Sequence, residues 1–299
     1  MTQERPGMDS LDLALLAEIQ HDGRATYEAL SRPLGLSRPA VRARLHRLLE
    51  SEVVRIVGVV HPSVFGLTAY AHTAISVDGP VEPVAARVAA SPQAPFVSAV
   101  AGRRPLVAEL RSADQASLAA AVRDLAAIPG VRCVDTALYT EILKDTHFPP
   151  RPYSPTTIDE LDRGLLAELQ RDGRASFADL GVAVGLSTSA ARSRVLRLLE
   201  SGAVHIGARV HPGALGSAQP VGFELTFAGH ATEAVERIRG MEKVQFFATA
   251  LGRCDAIGTA VGHSPEEVLA VLDEIRGTPG VRSAEAWTHL RVVKESYDA

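Results

Sequence analysis

Cysteine is nearly absent: Cys133 and Cys254 are the only two in 299 residues. Two thiols exclude a disulfide framework and a four-cysteine zinc site, which makes the cytoplasm the expected compartment. Aromatic residues are 5% of the chain, with a single tryptophan. Trp287 and the pair Phe246-Phe247 are therefore expected to pack on a sheet face and not to form a base-stacking platform. No apolar run approaches the ~18 residues that span a bilayer, and residues 1–10 do not read as a signal peptide. Positive charge is not in excess either. Lys+Arg number 31 against 35 Asp+Glu, a net −4, and taken alone this argues against a nucleic-acid binder. There is no phosphate-binding glycine loop, no G-x-S-x-G elbow and no converging ligand set, so neither catalysis nor a metal or cofactor is expected. His61-Pro62 and His211-Pro212 read as turn residues. What remains, 46% hydrophobic and 22% charged, is an ordinary packed protein long enough for about two domains of ~150 residues.

The chain repeats itself at an offset of 150. Asp22-Gly23-Arg24-Ala25 recurs as Asp172-Gly173-Arg174-Ala175, Gly35-Leu36-Ser37 as Gly185-Leu186-Ser187, and Pro129-Gly130-Val131-Arg132 as Pro279-Gly280-Val281-Arg282. From 9 to 66, 30 of 58 positions match their partner; from 67 to 149 only 11 of 83 do. Each copy is thus a well-matched module followed by a divergent one. Between them, Phe148-Pro149-Pro150-Arg151-Pro152-Tyr153-Ser154-Pro155 predicts an extended linker, because proline fixes φ and donates no hydrogen bond.

In the matched module, Leu11, Leu15, Leu16 and Ile19 follow helical spacing, with Ser10 or Asp9 as cap. Asp22-Gly23-Arg24 ends that helix, with Gly23 expected as its C-terminal residue. A second helix is predicted from about 26 to 32. After the turn Leu34-Gly35-Leu36, Ser37 caps a third helix with Pro39 in its first turn. Val41, Leu45 and Leu48 form the inward stripe, and Arg38, Arg42 and His46 lie opposite, flanked by Arg44 and Arg47. The second copy places Ala191, Val195 and Leu198 inside, and Thr188, Ser189, Arg192, Arg194 and Arg197 outside. Helix, glycine turn and capped arginine-rich helix make a helix-turn-helix. Arginine suits DNA because it pairs with phosphate oxygens or with two acceptors on guanine. The candidate DNA contacts are Ser37, Arg38, Pro39, Arg42, Arg44 and Arg47, with Ser187, Thr188, Ser189, Arg192, Arg194 and Arg197. For Arg44 and Arg47 an acid within the domain is the competing partner. The outer faces differ (Arg38-Pro39 against Thr188-Ser189), so unlike half-sites are expected.

Leu11-Asp12, Leu15-Leu16-Ala17-Glu18-Ile19-Gln20, Gly35-Leu36-Ser37 and Val41-Arg42-Ala43-Arg44, with Arg194-Val195-Leu196-Arg197-Leu198-Leu199-Glu200-Ser201-Gly202 in the second copy, resemble the start of leucine-responsive (Lrp/AsnC, feast/famine) transcriptional regulators. The likeness extends over both copies. It departs at Ser31 and Gly181, where the family has a small alanine, and at Pro33, late in the second helix.

The divergent module reads strand 70–78, helix 81–90, strands 95–101 and 105–111, helix 114–127 and strand 131–143. In the second copy the order repeats at 220–228, 231–240, 243–251, 255–262, 265–277 and 281–294. This βαββαβ order is ferredoxin-like, with helices on one sheet face. The resemblance implies that two such sheets pack face to face, which one duplicated chain can supply as an internal pseudo-dimer. It also implies an effector pocket at the turn joining the second and third strands of the module, here Gly102-Arg103-Arg104-Pro105 and Gly252-Arg253-Cys254-Asp255. Asp255 keeps the family's acid, suited to an effector ammonium group, and Pro105 has lost it.

The expected architecture is α+β, with two tandem copies of a helix-turn-helix (winged-helix-like) domain and a ferredoxin-like domain. The boundaries are 8–58, 59–147, a linker at 148–157, then 158–208 and 209–299. The expected function is that of a DNA-binding, non-enzymatic transcriptional regulator responding to an amino acid or related metabolite. The expected partners are double-stranded DNA, a small effector and further copies of the pseudo-dimeric chain, with no membrane. The alternative is an enzyme like the siroheme decarboxylases, which resemble the same overall build. Arg42, Arg44, Arg192 and Arg194, and the lack of a histidine–arginine cluster in the tether, weigh against it.

Overall fold

The structure, a computed structural model, describes residues 8–51, 54–145, 153–210, 219–229 and 231–296. The first copy forms α1 (Ser10–His21), α2 (Tyr27–Leu34), α3 (Arg38–Glu50), β1 (Val54–Val60), β2 (Ala69–Val77), α4 (Val81–Ala89), β3 (Phe96–Ala101), β4 (Leu106–Ser112), α5 (Gln115–Ala126) and β5 (Val131–Asp145). The second forms α6 (Glu160–Arg171), α7 (Phe177–Val184), α8 (Thr188–Glu200), β6 (Val204–Val210), β7 (Gln219–Phe227), α9 (Thr232–Gly240), β8 (Val244–Gly252), β9 (Ala256–Gly262), α10 (Pro265–Arg276) and β10 (Val281–Glu295). The α2 helix outruns its expected end: Pro33 sits inside its last turn, where one lost backbone bond does not stop it. Most of the Pro-rich linker, and His211-Pro212, lie outside the described residues.

The chain does not fold copy by copy. Described residues within Met1–Val64 and Thr146–Gly216 form one compact unit, and those within Phe65–Asp145 and Ser217–Tyr297 another. Each unit therefore joins like modules from both copies. The first module ends beyond 58, because β1 runs on to Val60 and pairs there with the second copy.

In the helical unit β1 and β6 are antiparallel, in register from Val54↔Val210 to Val60↔Val204. Val57 stands opposite Gly207, its own equivalent at +150, so a local two-fold passes through that pair. Leu15, Leu16, Ile19, Val41, Leu45 and Leu48 share one core with Leu165, Leu166, Leu169, Val195, Leu198 and Ile206. Gly23 is a correction. Its φ is not in the left-handed region, and the helix ends on extended Asp22. A Cβ at Gly23 would lie 2.8 Å from the Ile206 carbonyl oxygen, and its own N–H donates to that oxygen at 2.8 Å. Glycine is required there for close approach and not as a helix cap. Gly173 repeats the contact with the Ile56 carbonyl at 2.8 Å.

In the other unit eight strands close into a barrel, β10-β3-β4-β2-β5-β8-β9-β7. The two sheets are thus joined at their edges. Each copy's last strand pairs with the other copy's second ferredoxin strand, through Leu138↔Leu251 and Thr288↔Ala101. Equivalent irregularities fall at Tyr139/Glu141 and His289/Arg291. One sheet face packs on helices, with Ile75, Leu106 and Leu110 against Val84 and Leu118, and Phe223 and Phe247 against Ile238 and Ile275. Phe247 is fully buried, as expected of sheet packing. The opposite face holds Ala137, Ala250, Cys254 and Ile257, with Tyr139 and Trp287 against them.

Candidate nucleic-acid interface

Each recognition helix starts from the same local chemistry. Gly35 and Gly185, at φ 62° and 73°, take the left-handed conformation that closes α2 and α7. One step later Ser37 Oγ accepts from the Ala40 N–H at 3.4 Å and Ser187 Oγ from Ala190 at 3.2 Å, satisfying donors that the first helical turn leaves open. Val41, Leu45 and Leu48, and Ala191, Val195 and Leu198, are buried. That burial fixes the outward direction of the remaining side chains. Arg42 and Arg192 are exposed, and among the described residues neither makes an ion pair. Arg38, Pro39, Thr188 and Ser189 are exposed at the helix starts, where Arg38 reaches Glu28 at 2.6 Å.

Four of the twelve candidate DNA contacts are corrected. Arg44 Nη1 lies 2.7 Å from Asp9 and 2.8 Å from Asp12, and Arg47 Nη2 lies 2.6 Å from Asp12. Arg194 pairs with Asp159 and Asp162 at 2.8 and 2.9 Å, and Arg197 with Asp162 at 2.5 Å. Asp12 and Asp162 are buried to 1% exposure, and a buried carboxylate needs such partners. Burial pushes the Asp12 carboxyl upward, but hydrogen bonds from Arg47, the Asp9 backbone and Arg44 outweigh it and hold its pKa below 3.8. Asp12 is also half of a capping box with Asp9, so it ties the third helix to the start of the first. These arginines set the angle of the recognition helix and do not face outward as free cations.

A second pair of arginines, passed over in the sequence, joins the heads. Arg24 donates to the carbonyls of Gly173 and Ala175 at 2.8 and 2.9 Å, and Arg174 to those of Gly23 and Ala25 at 2.7 and 2.6 Å. Each guanidinium also lies over the other copy's aromatic ring, Phe177 at 4.8 Å and Tyr27 at 5.7 Å. The recurrence of Asp-Gly-Arg-Ala was the available signal; its meaning needed the partner. His61 accepts from the Ser63 N–H and stacks on Tyr153 at 4.9 Å, a turn residue as expected.

In the barrel unit the turn residues expected to bind an effector are mostly engaged. Arg253 contacts Glu224 at 2.8 Å and His72 at 2.8 Å, and Arg104 contacts Asp135 at 2.5 Å. Cys254 is buried, which pushes its thiol up to about 12. Asp255 accepts from the Phe227 N–H at 2.7 Å, a structural use of the acid reserved above for an ammonium group. A Cβ on Gly252, at φ 127°, would meet the Thr136 carbonyl at 2.5 Å, and one on Gly102 would meet Trp287 at 3.0 Å. Both glycines therefore serve close packing. Arg103 stays exposed. With Arg104, Glu224, Glu285 and Trp287 it lines a cleft of about 30 Å³. Among the described residues no group of three or more His, Cys, Asp or Glu side chains is placed to hold a metal ion.

The AsnC-type helix-turn-helix domain description matches residues 8–49 and again 158–199. The transcriptional regulator LrpA of Mycobacterium tuberculosis is 32% identical over 129 residues, covering 42% of this chain and 86% of that protein. The chain belongs to the Lrp/AsnC family of HTH-type transcriptional regulators. Regulator FL11 of Pyrococcus abyssi is similar to the same extent of chain, 29% identical over 143 residues, or 47% of this chain and 94% of FL11. Such relatives correspond to one copy of this Lrp/AsnC chain. The fold of the whole is seen in the siroheme decarboxylase NirDL, with a TM-score of 0.69 at 18% identity over 96% of this chain and 93% of that one. No helix among the described residues is long and apolar enough to cross a membrane.

Proposed function

We propose that this Lrp/AsnC chain is a sequence-specific DNA-binding transcriptional regulator that presents two recognition helices from one polypeptide, without enzymatic activity. The reading is carried by the division among its arginines. Arg44, Arg47, Arg194 and Arg197 tie the helices within each head, while among the described residues Arg42 and Arg192 make no ion pair on the exposed faces of α3 and α8. The charges at the cleft in the barrel unit suit a metabolite of amino-acid type, Arg103 offering a cation for a carboxylate and Glu285 an anion for an ammonium group. Gel shifts on the gene's own upstream region, titrated with salt, test the DNA reading. A complex at low salt that weakens steeply between about 50 and 200 mM is expected. Absence of any complex at low salt overturns the reading. Calorimetry with an amino-acid panel tests the effector, and an Arg103→Ala variant that binds unchanged overturns that part.

The decarboxylase-like alternative has the likeness of fold to NirDL behind it. Arg44 and Arg194 no longer weigh against it, since both serve ion pairs. The barrel does contain a histidine–arginine pair, His72–Arg253, but it is closed upon itself, and the neighbouring cleft of about 30 Å³ is far too small for a tetrapyrrole. A Soret-region titration with siroheme distinguishes the two readings.

A further inference from the structure

The two heads keep apolar residues at equivalent packing positions and differ in charge where they face outward. The two-fold through Val57 and Gly207, with the reciprocal Arg24 and Arg174 contacts, places equivalent helices in inverted relation, as in a symmetric dimer. Three of four outward positions then differ at the constant offset, the arginine at 42 and 192 being kept. The first head carries Arg32, Arg38, Arg42 and His46, and the second carries Val182, Thr188, Arg192 and Leu196. The Arg32, Arg38 and His46 side chains are 81%, 62% and 67% exposed, and Val182 is 83% exposed. In the first head Glu28 holds Arg32 at 3.7 Å and Arg38 at 2.6 Å, so both cations are gathered at the start of the recognition helix. The second head has Ala178 in place of Glu28. It offers hydroxyls there, with Ser187 Oγ 3.2 Å from Ser189 Oγ.

These surfaces bind DNA by different physics. Guanidinium groups neutralise phosphates, release counterions over a long range, or pair with guanine. Hydroxyls reach a shorter distance, carry no charge and accept or donate to any base edge. We infer that the chain reads an inverted pair of unlike half-sites in one fixed polarity. The first head supplies most of the salt-sensitive attraction, and Arg38, against Thr188, is a specificity-determining residue. This rests on the DNA-binding reading above and adds the class of operator.

The test is selection from a random-sequence duplex library by the full-length chain, beside the variant R38T/P39S, which gives α3 the first two residues of α8. A mirror variant, T188R/S189P, guards against a folding defect in either head, and a melting curve for each confirms that it is folded. Inverted but non-identical half-sites are expected for the parent chain. R38T/P39S is expected to move one half-site toward the other and to lower the slope of log affinity against log salt by about 0.9, one phosphate contact. T188R/S189P should shift the other half-site and raise the slope by a similar amount. A strict palindrome selected by the parent overturns the inference and leaves DNA binding intact. Unlike half-sites that survive both variants unchanged, with unchanged slopes, overturn the assignment to these residues. No enrichment over the starting library overturns this inference and the DNA-binding reading together.

Discussion

Arg42 and Arg47 lie little more than one turn apart on α3, yet the structure gives them opposite roles, and substituting each by alanine separates them. Arg47 reaches both oxygens of Asp12 at 2.8 and 2.6 Å, and Asp12 is almost fully buried. A charge-assisted hydrogen bond to such a group contributes about 1.5–3 kcal/mol. The Arg47 side chain is 40% exposed, and Arg44 and the Asp9 N–H remain on the carboxylate, so a loss of about 1–2 kcal/mol is expected for Arg47→Ala after that screening. Among the described residues Arg42 makes no ion pair, and its replacement on an exposed helix face should stay within about 0.5 kcal/mol. DNA affinity measured against salt on a long random duplex should show the reverse order. Arg42→Ala is expected to flatten the slope by about 0.9, one phosphate contact, and Arg47→Ala to leave it unchanged. Urea midpoints and salt-dependent affinities of the two variants make the comparison. If Arg47→Ala flattens the slope as Arg42→Ala does while its urea midpoint stays at the parent value, the structural role assigned to Arg47 is wrong.

Three further outcomes follow from the same contacts. The Asp12 carboxyl is held below 3.8, so its stabilisation is complete above the unfolded value near 3.9 and fades as pH falls through the lower folded value; the cost of Asp12→Asn, read as a urea midpoint, should therefore shrink between pH 6 and pH 3. Gly222→Ala would set a Cβ 2.1 Å from the Trp287 ring, an overpacking of about 1–3 kcal/mol visible in a thermal melt, and adding Trp287→Ala should show strong coupling in a double-mutant cycle instead of simple addition. A thiol reagent should modify exposed Cys133 at once and reach Cys254, buried with its thiol near 12, only in denaturant; two fast thiols in the native protein would contradict the placement of that turn.

The elements of each copy were legible because they rest on local chemistry. Serine caps, left-handed Gly35 and Gly185, helical spacing of leucines and the Pro-Gly turns all act within a few residues. The helix-turn-helix face was legible for Arg38 and Arg42, whose direction follows from the buried stripe alone. For Arg44 and Arg47 the sequence left open a pairing with an acid of the domain but not which acid, because their partners lie 32 to 35 residues away on the start of α1, and spacing along one helix carries no record of that. Gly23 misled for a related reason. It follows a helix and so reads as a cap, yet its neighbour is Ile206 of the other copy. Barrel closure escaped likewise, because pairing of β5 with β8 and of β10 with β3 is a property of strand edges. Those edges look the same in sequence whether a second sheet meets them or solvent does.

The contrast between a matched and a divergent module now has a physical reading. Within the barrel, Trp287 faces Gly222 across one strand pair, while the equivalent Ala137 faces His72. Large sits against small in both, with the order reversed, and the Trp287 and His72 rings lie 5.3 Å apart. Arg253 then needs both His72 from the first copy and Glu224 from the second. Two second copies paired together would offer Arg253 a glycine where His72 stands. Two first copies would lack Glu224, whose place is taken by Ala74, and would have two alanines where one tryptophan now fills space. Either pairing leaves a cavity or an unmatched charge, and both are costly in a packed interior. The β-rich modules have therefore diverged as complementary halves of one barrel. The helix-turn-helix modules keep apolar residues at equivalent packing positions, with changes of size or shape only (Ile19 and Leu169, Val41 and Ala191, Leu45 and Val195). Their outward faces instead change in charge, where an unlike pair of DNA half-sites is the pressure that such a division would answer.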